Sequence, residues 1–237
     1  DLIEIQTSNF RPDLDKTLAS ISEKTRIIFL ANPNNPTGTW ISKKEIIPFM
    51  NNLPSSILVV LDEAYYEYVN SLHYPNGIDL QRDYENLIVT RTFSKAYGLA
   101  GLRIGYSVSN PEIADLMNRI RQPFNVNSLS LVAASLALDE TDFLNESISI
   151  NNDGMRFLEQ TFSRLDLKYI PSAGNFLTVD LGQNASPIYE LLLQKGIIVR
   201  PLEVYGLPNH LRVSIGLPHE NERFAAALVE VLNNLQT

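Results

Sequence analysis

Lysine 95 lies in a run of hydroxyl-bearing residues that closes on a glycine, Thr90-Arg91-Thr92-Phe93-Ser94-Lys95-Ala96-Tyr97-Gly98. On a turn after an apolar strand, such an amine can form a Schiff base if its surroundings depress its pKa. Thr92, Ser94 and Arg103 add two hydroxyls and a guanidinium, a set suited to holding a phosphate. Two further strand ends are equally polar. In Asn32-Pro33-Asn34-Asn35-Pro36-Thr37-Gly38, two Asn-Pro pairs force extended geometry and turns, presenting the Asn35 amide rigidly. In Leu58-Val59-Val60-Leu61-Asp62-Glu63-Ala64-Tyr65, a carboxylate directly follows an apolar strand and must be solvated or paired. A cationic ring nitrogen is a suitable partner for Asp62, and Tyr65 can point toward the same place. Each segment alone has an ordinary alternative: an Asn-Pro loop, an exposed or metal-binding carboxylate, a surface lysine. A nucleotide site is weakly supported, since no Gly-x-x-x-x-Gly-Lys loop accompanies Asp62.

Short apolar runs that alternate with amphipathic stretches must position these residues, a pattern of α/β architecture with a largely parallel sheet. Strands are expected at residues 26–31, 57–61, 87–90 and 103–109, the second of them apolar on both faces and hence central. Ser42 and Glu45 form a capping-box pattern that opens a helix, and Asn110-Pro111 suits the start of another, running to Arg121. After Pro123 the character changes. A long helical region is expected over residues 128–166, with a break near 151–154. Strand 176–181, helix 187–195 closed by Gly196, strands 197–200 and 211–215 and a final helix 220–235 follow. The expected domains are a three-layer α/β unit over residues 1–124 and a smaller α+β unit over 125–237. The first residues, Asp1-Leu2-Ile3-Glu4-Ile5, look strand-like with nothing before them.

Composition narrows the classes. The chain has 237 residues, 44% hydrophobic, long enough for a real core. A formal net charge of −8 argues weakly against a nucleic-acid partner. The absence of cysteine excludes disulfides, thiolate zinc sites and cysteine nucleophiles, and fits a reducing, cytoplasmic setting. No apolar run is long enough to span a membrane, and no secretory pattern opens the chain. His73, His210 and His219 lack metal-ligand spacing and are expected at the surface, so no metal is expected. Arg212, inside the apolar run Leu211-Arg212-Val213-Ser214-Ile215, calls for an anionic partner, which a structural salt bridge could also supply.

The ordered set NPNNPTG, DEAYYEY and TFSKAYGLAGLRIGY resembles the fold-type I aminotransferases that depend on pyridoxal 5'-phosphate (PLP), and most closely the histidinol-phosphate aminotransferases. The resemblance covers the whole chain. It implies that Lys95 carries the cofactor and shuttles the proton, and that Asp62 pairs with the pyridinium nitrogen. Tyr65 and Asn35 would bond the phenolic oxygen, and Ser94, Arg103 and Thr92 the phosphate. Arg212 and Arg200 would bind anionic groups of the substrate, with Asn175 close by. The implied reaction, in histidine biosynthesis, takes L-histidinol phosphate and 2-oxoglutarate to imidazole-acetol phosphate and L-glutamate, in a homodimer. Relatives acting on aromatic or other amino acids, or decarboxylating a phosphorylated amino acid, share the same motifs. In the family, an N-terminal portion supplies a Gly-rich phosphate turn, an aromatic stacked on the cofactor and a tyrosine reaching across the dimer. Residues 1–31 offer no counterpart, so the chain reads as lacking part of the cofactor cradle. A non-catalytic fragment is therefore the competing reading of a different class.

Overall fold

Strand β1 (Ile27–Ala31) shows one-sided burial: Ile28 and Leu30 face a core, while Ile27 and Phe29 are 48% and 71% exposed. That alternation follows from the period-2 geometry of a strand covered on one face. In the computed structural model, which describes residues 1–235, the core-facing side of β1 packs against helix α2 (Lys43–Asn51) through Ile46, Phe49 and Met50. The capping box forms as expected. The Ser42 backbone N–H and hydroxyl both donate to the Glu45 carboxylate, at 2.8 and 2.6 Å. Arg11 closes on the same carboxylate at 2.8 Å. Helix α1 (Leu14–Ala19) adds Leu14 and Leu18 to this core.

Strands β2 (Leu58–Asp62) and β3 (Leu87–Thr92) continue the sheet in parallel, and β4 (Gly105–Val108) joins β3 antiparallel, giving the order β1-β2-β3-β4. β2 is internal, as its apolar run requires. A short helix α3 (Gly77–Leu80) precedes β3, and α4 (Pro111–Ile120) starts at the Asn110 cap, whose side chain accepts from the Ile113 N–H. Helix α5 (Ser128–Ala137) packs Ala134 against Phe93 and Ile104. By contacts, the first compact unit comprises residues 1–35 and 39–144, running past the expected boundary at Phe124.

The second unit comprises residues 36–38 and 145–237. Its sheet is antiparallel throughout, in the order β5-β6-β8-β7: β5 (Lys168–Ile170), β6 (Phe176–Asp180), β7 (Arg200–Leu202) and β8 (Leu207–Ser214). Leu177 and Val179 of β6 and Leu211 and Val213 of β8 share one face. They meet Leu158 and Phe162 of α6 (Thr141–Arg164), Ile188 and Leu192 of α7 (Ala185–Gln194), and Phe224 and Leu228 of α8 (Pro218–Leu235). Pro36–Gly38 is tied in by the Thr178 hydroxyl, which donates to the Pro36 carbonyl at 2.5 Å. Gly38 has φ +74°, and a Cβ there would lie 2.0 Å from the Ser172 hydroxyl oxygen, so only glycine closes this motif.

Three expectations need correction. Residues 151–154 do not break a helix; they lie inside α6, and the interruption falls between α5 and α6. Gly154 serves packing, since a Cβ would come within 2.5 Å of the Ile215 side chain and 2.7 Å of Asn221. Residues 197–199 are not strand, and β7 begins at Arg200. Asp1 to Ile5 forms no ladder, with Leu2 and Ile3 exposed: extended propensity without a neighbouring strand makes no sheet.

Candidate active site

Because β1, β2 and β3 run parallel in register, with Ala31 beside Asp62 and Asp62 beside Thr90, their carboxyl ends open on one edge of the sheet. That is where ligands bind in open α/β sheets. The segments carrying Asn35, Asp62, Tyr65, Thr92, Ser94 and Lys95 all emerge there.

Local folding fixes each of them. The loop after β1 turns at the cis Asn32–Pro33 bond and closes by the Asn34 N–H to the Thr39 carbonyl at 2.7 Å, leaving Asn35 exposed. Asp62, last in β2, is exposed, and its carboxylate accepts the Ala64 N–H at 3.0 Å. Tyr65 is buried at the start of the following turn. Lys95 sits on a turn closed by Gly98 N–H to its own carbonyl at 2.9 Å, with Phe93 and Ala96 buried on either side. Its ammonium lies 5.3 Å from the centre of the Tyr65 ring. Around it, the Thr92 hydroxyl accepts the Ser94 N–H at 3.0 Å, and Arg103 donates to the Ser94 hydroxyl at 3.4 Å. Arg103 has φ +53°, uncommon for a residue with a Cβ, and its guanidinium also donates to the Ala100 carbonyl at 2.9 Å. An amine, a carboxylate, a phenol, two hydroxyls and a guanidinium are thus gathered in one unit. The set suits a phosphorylated aldehyde with a basic ring nitrogen.

In the second unit, the sheet face turned away from the apolar core carries Phe176, Thr178 and Asp180 of β6 and His210 and Arg212 of β8. Arg200 of β7 is directly opposite Arg212. Two cationic residues opposite one another in a ladder offer charge-assisted donors to an anion. The Arg212 guanidinium lies 5.3 Å from the Phe176 ring centre. Asn175 is half-buried at the entry to β6, its carbonyl accepting the Ile215 N–H at 2.9 Å. His210 is not a surface residue: it is half-buried opposite Asp180, and burial pushes its pKa down.

Sequence reasoning missed a buried polar network beside the first unit's site. Glu63, fully buried, accepts two bonds from Arg91, at 3.0 and 2.7 Å, and one from the Gly77 N–H at 2.7 Å. Arg91 stacks at 3.5 Å on Tyr66. The period of a strand was the available signal: Glu63 must face away from Asp62, and Arg91 away from Thr92.

The chain is similar to known proteins over nearly its whole length. The model of the family described as aminotransferase class I and II matches residues 2–228. A histidinol-phosphate aminotransferase 2 of Pseudomonas fluorescens is 54% identical over 228 residues, covering 96% of this chain and 62% of that protein. One from Pasteurella multocida is 55% identical over 230 residues, covering 97% and 63%. The crystal structure of histidinol-phosphate aminotransferase from Sinorhizobium meliloti in complex with pyridoxal-5'-phosphate superposes with a TM-score of 0.92 at 36% identity, covering 99% of this chain and 65% of that one. The chain thus spans a little over three-fifths of the length of these relatives, and its fold is that of the fold-type I transferases. With the family model matched over nearly its whole length, the chain belongs to the class I and II aminotransferases.

Proposed function

We propose that this chain supplies the lysine and most of the cofactor-holding groups of a PLP-dependent aminotransferase of histidine biosynthesis. Its substrates are L-histidinol phosphate and 2-oxoglutarate, and its products imidazole-acetol phosphate and L-glutamate. The observation that carries this reading is the gathering of Lys95, Tyr65, Asp62 and the Thr92–Ser94–Arg103 set at one sheet edge, in a chain 54% identical to a histidinol-phosphate aminotransferase.

When bound, PLP supplies an electron sink that stabilises negative charge at the substrate Cα. The chain's residues do the rest. The Asp62 carboxylate holds a proton on the ring nitrogen, since an adjacent negative charge favours the cationic form. Tyr65 and Asn35 orient the phenolic oxygen, and Ser94, Thr92 and Arg103 grip the phosphate through charge-assisted bonds. The Lys95 amine carries the cofactor and later moves the proton to and from Cα. Arg212, with Arg200 opposite it in the ladder and Asn175 nearby, binds the anionic groups of the two substrates.

The protein acts as a cytoplasmic homodimer with small-molecule partners, an amino donor and a 2-oxo acid; neither nucleic acid nor membrane is a partner. In the first unit, Ile120, Phe124, Leu129, Val132 and Leu136 are exposed apolar residues suited to a second subunit. No helix among the described residues is long and apolar enough to cross a membrane.

The test is turnover. With PLP, L-histidinol phosphate and 2-oxoglutarate, the protein should release L-glutamate, and Lys95→Ala should release it at least about 10²-fold more slowly. Release of carbon dioxide instead, or glutamate only from aromatic donors, would contradict the substrate reading.

A further inference from the structure

The three side chains proposed to face the PLP ring and phosphate from β2, β3 and the turn after β2 each have a sequence neighbour in the buried network. Asp62 precedes Glu63, Tyr65 precedes Tyr66, and Thr92 follows Arg91. The network spans the segments it joins. Glu63 binds Arg91 of the neighbouring strand through two bonds and caps α3 at Gly77. Arg91 donates further to Asn76 at 2.8 Å and stacks on Tyr66. Tyr66 packs against Tyr74, ring centres 6.1 Å apart, and the Tyr74 hydroxyl donates to the Asn32 carbonyl at the root of the Asn35 loop. Burial alone would pull the Arg91 pKa down, but the Glu63 carboxylate more than offsets it, so Arg91 stays charged.

A buried ion pair of this kind is weak evidence for stability, because desolvation consumes most of the attraction between the charges. Its geometry suggests another use. Glu63 lies one residue past β2, but its N–H still donates to the Thr90 carbonyl at 2.9 Å, so the ladder runs on through it. A one-residue step along such a ladder reverses the side-chain direction, so locking Glu63 and Arg91 on one side fixes where Asp62 and Thr92 point on the other. We infer that Glu63, Arg91 and Tyr66 form a positioning clamp that holds Asp62, Tyr65 and Thr92 in register for the cofactor without touching it. The inference rests on the PLP reading above.

The test compares the unaltered chain with Glu63→Gln, Arg91→Lys and Tyr66→Leu. Three quantities are read: the PLP dissociation constant from the Lys95-dependent visible band, the pH midpoint of that band, and amide exchange over residues 62–66 and 90–98 without PLP. Arg91→Lys keeps the charge but loses the fork, and should weaken PLP binding about tenfold, the lower end of what supporting-residue losses cost a bound group. It should also move the pH midpoint and speed exchange in both segments together. Tyr66→Leu, which leaves the ion pair intact, should act in the same direction more weakly, and it carries the test should Arg91→Lys fail to fold. A lowered melting temperature with unchanged PLP affinity and pH midpoint would overturn the clamp and leave a merely structural pair. If the unaltered chain forms no Lys95-dependent band, the PLP reading fails; the clamp is then judged by exchange alone, and unchanged exchange in both segments would overturn it.

Discussion

The two sheets place their charged residues by opposite means. In the first unit, Asp62 and Lys95 sit at or beyond the ends of parallel strands, held by turns in which the Asp62 carboxylate accepts the Ala64 N–H and the Lys95 carbonyl accepts the Gly98 N–H. In the second, Arg212 lies within an antiparallel strand, and its neighbours Leu211 and Val213 are embedded in the core, 0% and 3% exposed. A strand end can carry reactive groups without disturbing the ladder, so several chemistries fit side by side there. A position inside a strand fixes one side chain rigidly, through register and the packing of both neighbours. The first arrangement suits a cofactor with many different contacts; the second suits a single anion held at a set distance.

The largest effect should come from the strand-end site. Lys95→Ala should lower turnover by about 10²–10⁴-fold, the range attributable to a positioned proton-transfer group. Lys95 is flanked by its own anchors, Phe93 and Ala96, so the melting temperature should hardly change; a collapse in stability would blur the comparison. Arg212→Lys tests the strand-interior site. The charge remains but the planar fork is lost, so KM for the anionic substrate should rise about tenfold, a charge-assisted bond being worth roughly 1.5–3 kcal/mol. The PLP band should persist, because no cofactor contact is altered. Loss of the band would mean that the two arrangements are not separable. The smallest effect lies away from both. Burial alone would raise the Glu45 carboxyl, but bonds from Ser42 and Arg11 hold it below its ordinary 4.5. A depressed carboxyl stabilises the fold above its unfolded pKa, and that contribution is lost as pH falls through the folded value. Glu45→Gln should therefore cost about 0.5–1 kcal/mol at neutral pH, as capping losses do, and flatten the acid limb below about pH 4.5. An unchanged acid limb would contradict it.

What was legible in the sequence was what is encoded locally. The strand before Asp62 was a continuous apolar run, the helix after Ser42 had its cap four residues wide, and Lys95 stood in a motif with hydroxyl and guanidinium neighbours suited to a phosphate. What was not legible depends on contacts between distant residues. Gly154 looks like a helix breaker in any short window, and its packing role appears only when Ile215 and Asn221 arrive beside it. Glu63 and Arg91 are 28 positions apart, and their pairing needs β2 and β3 in register. Strand β5 is three residues long and exists only because β6 pairs with it.

The central claim is that Lys95 carries the cofactor, and it can be read directly. The PLP-loaded protein would be reduced with borohydride, digested, and the modified lysine mapped by mass spectrometry. The account predicts a pyridoxyl-phosphate adduct on the peptide containing Lys95, at near-stoichiometric yield. An adduct spread over surface lysines such as Lys43 and Lys44, with Lys95 unmodified, would contradict it.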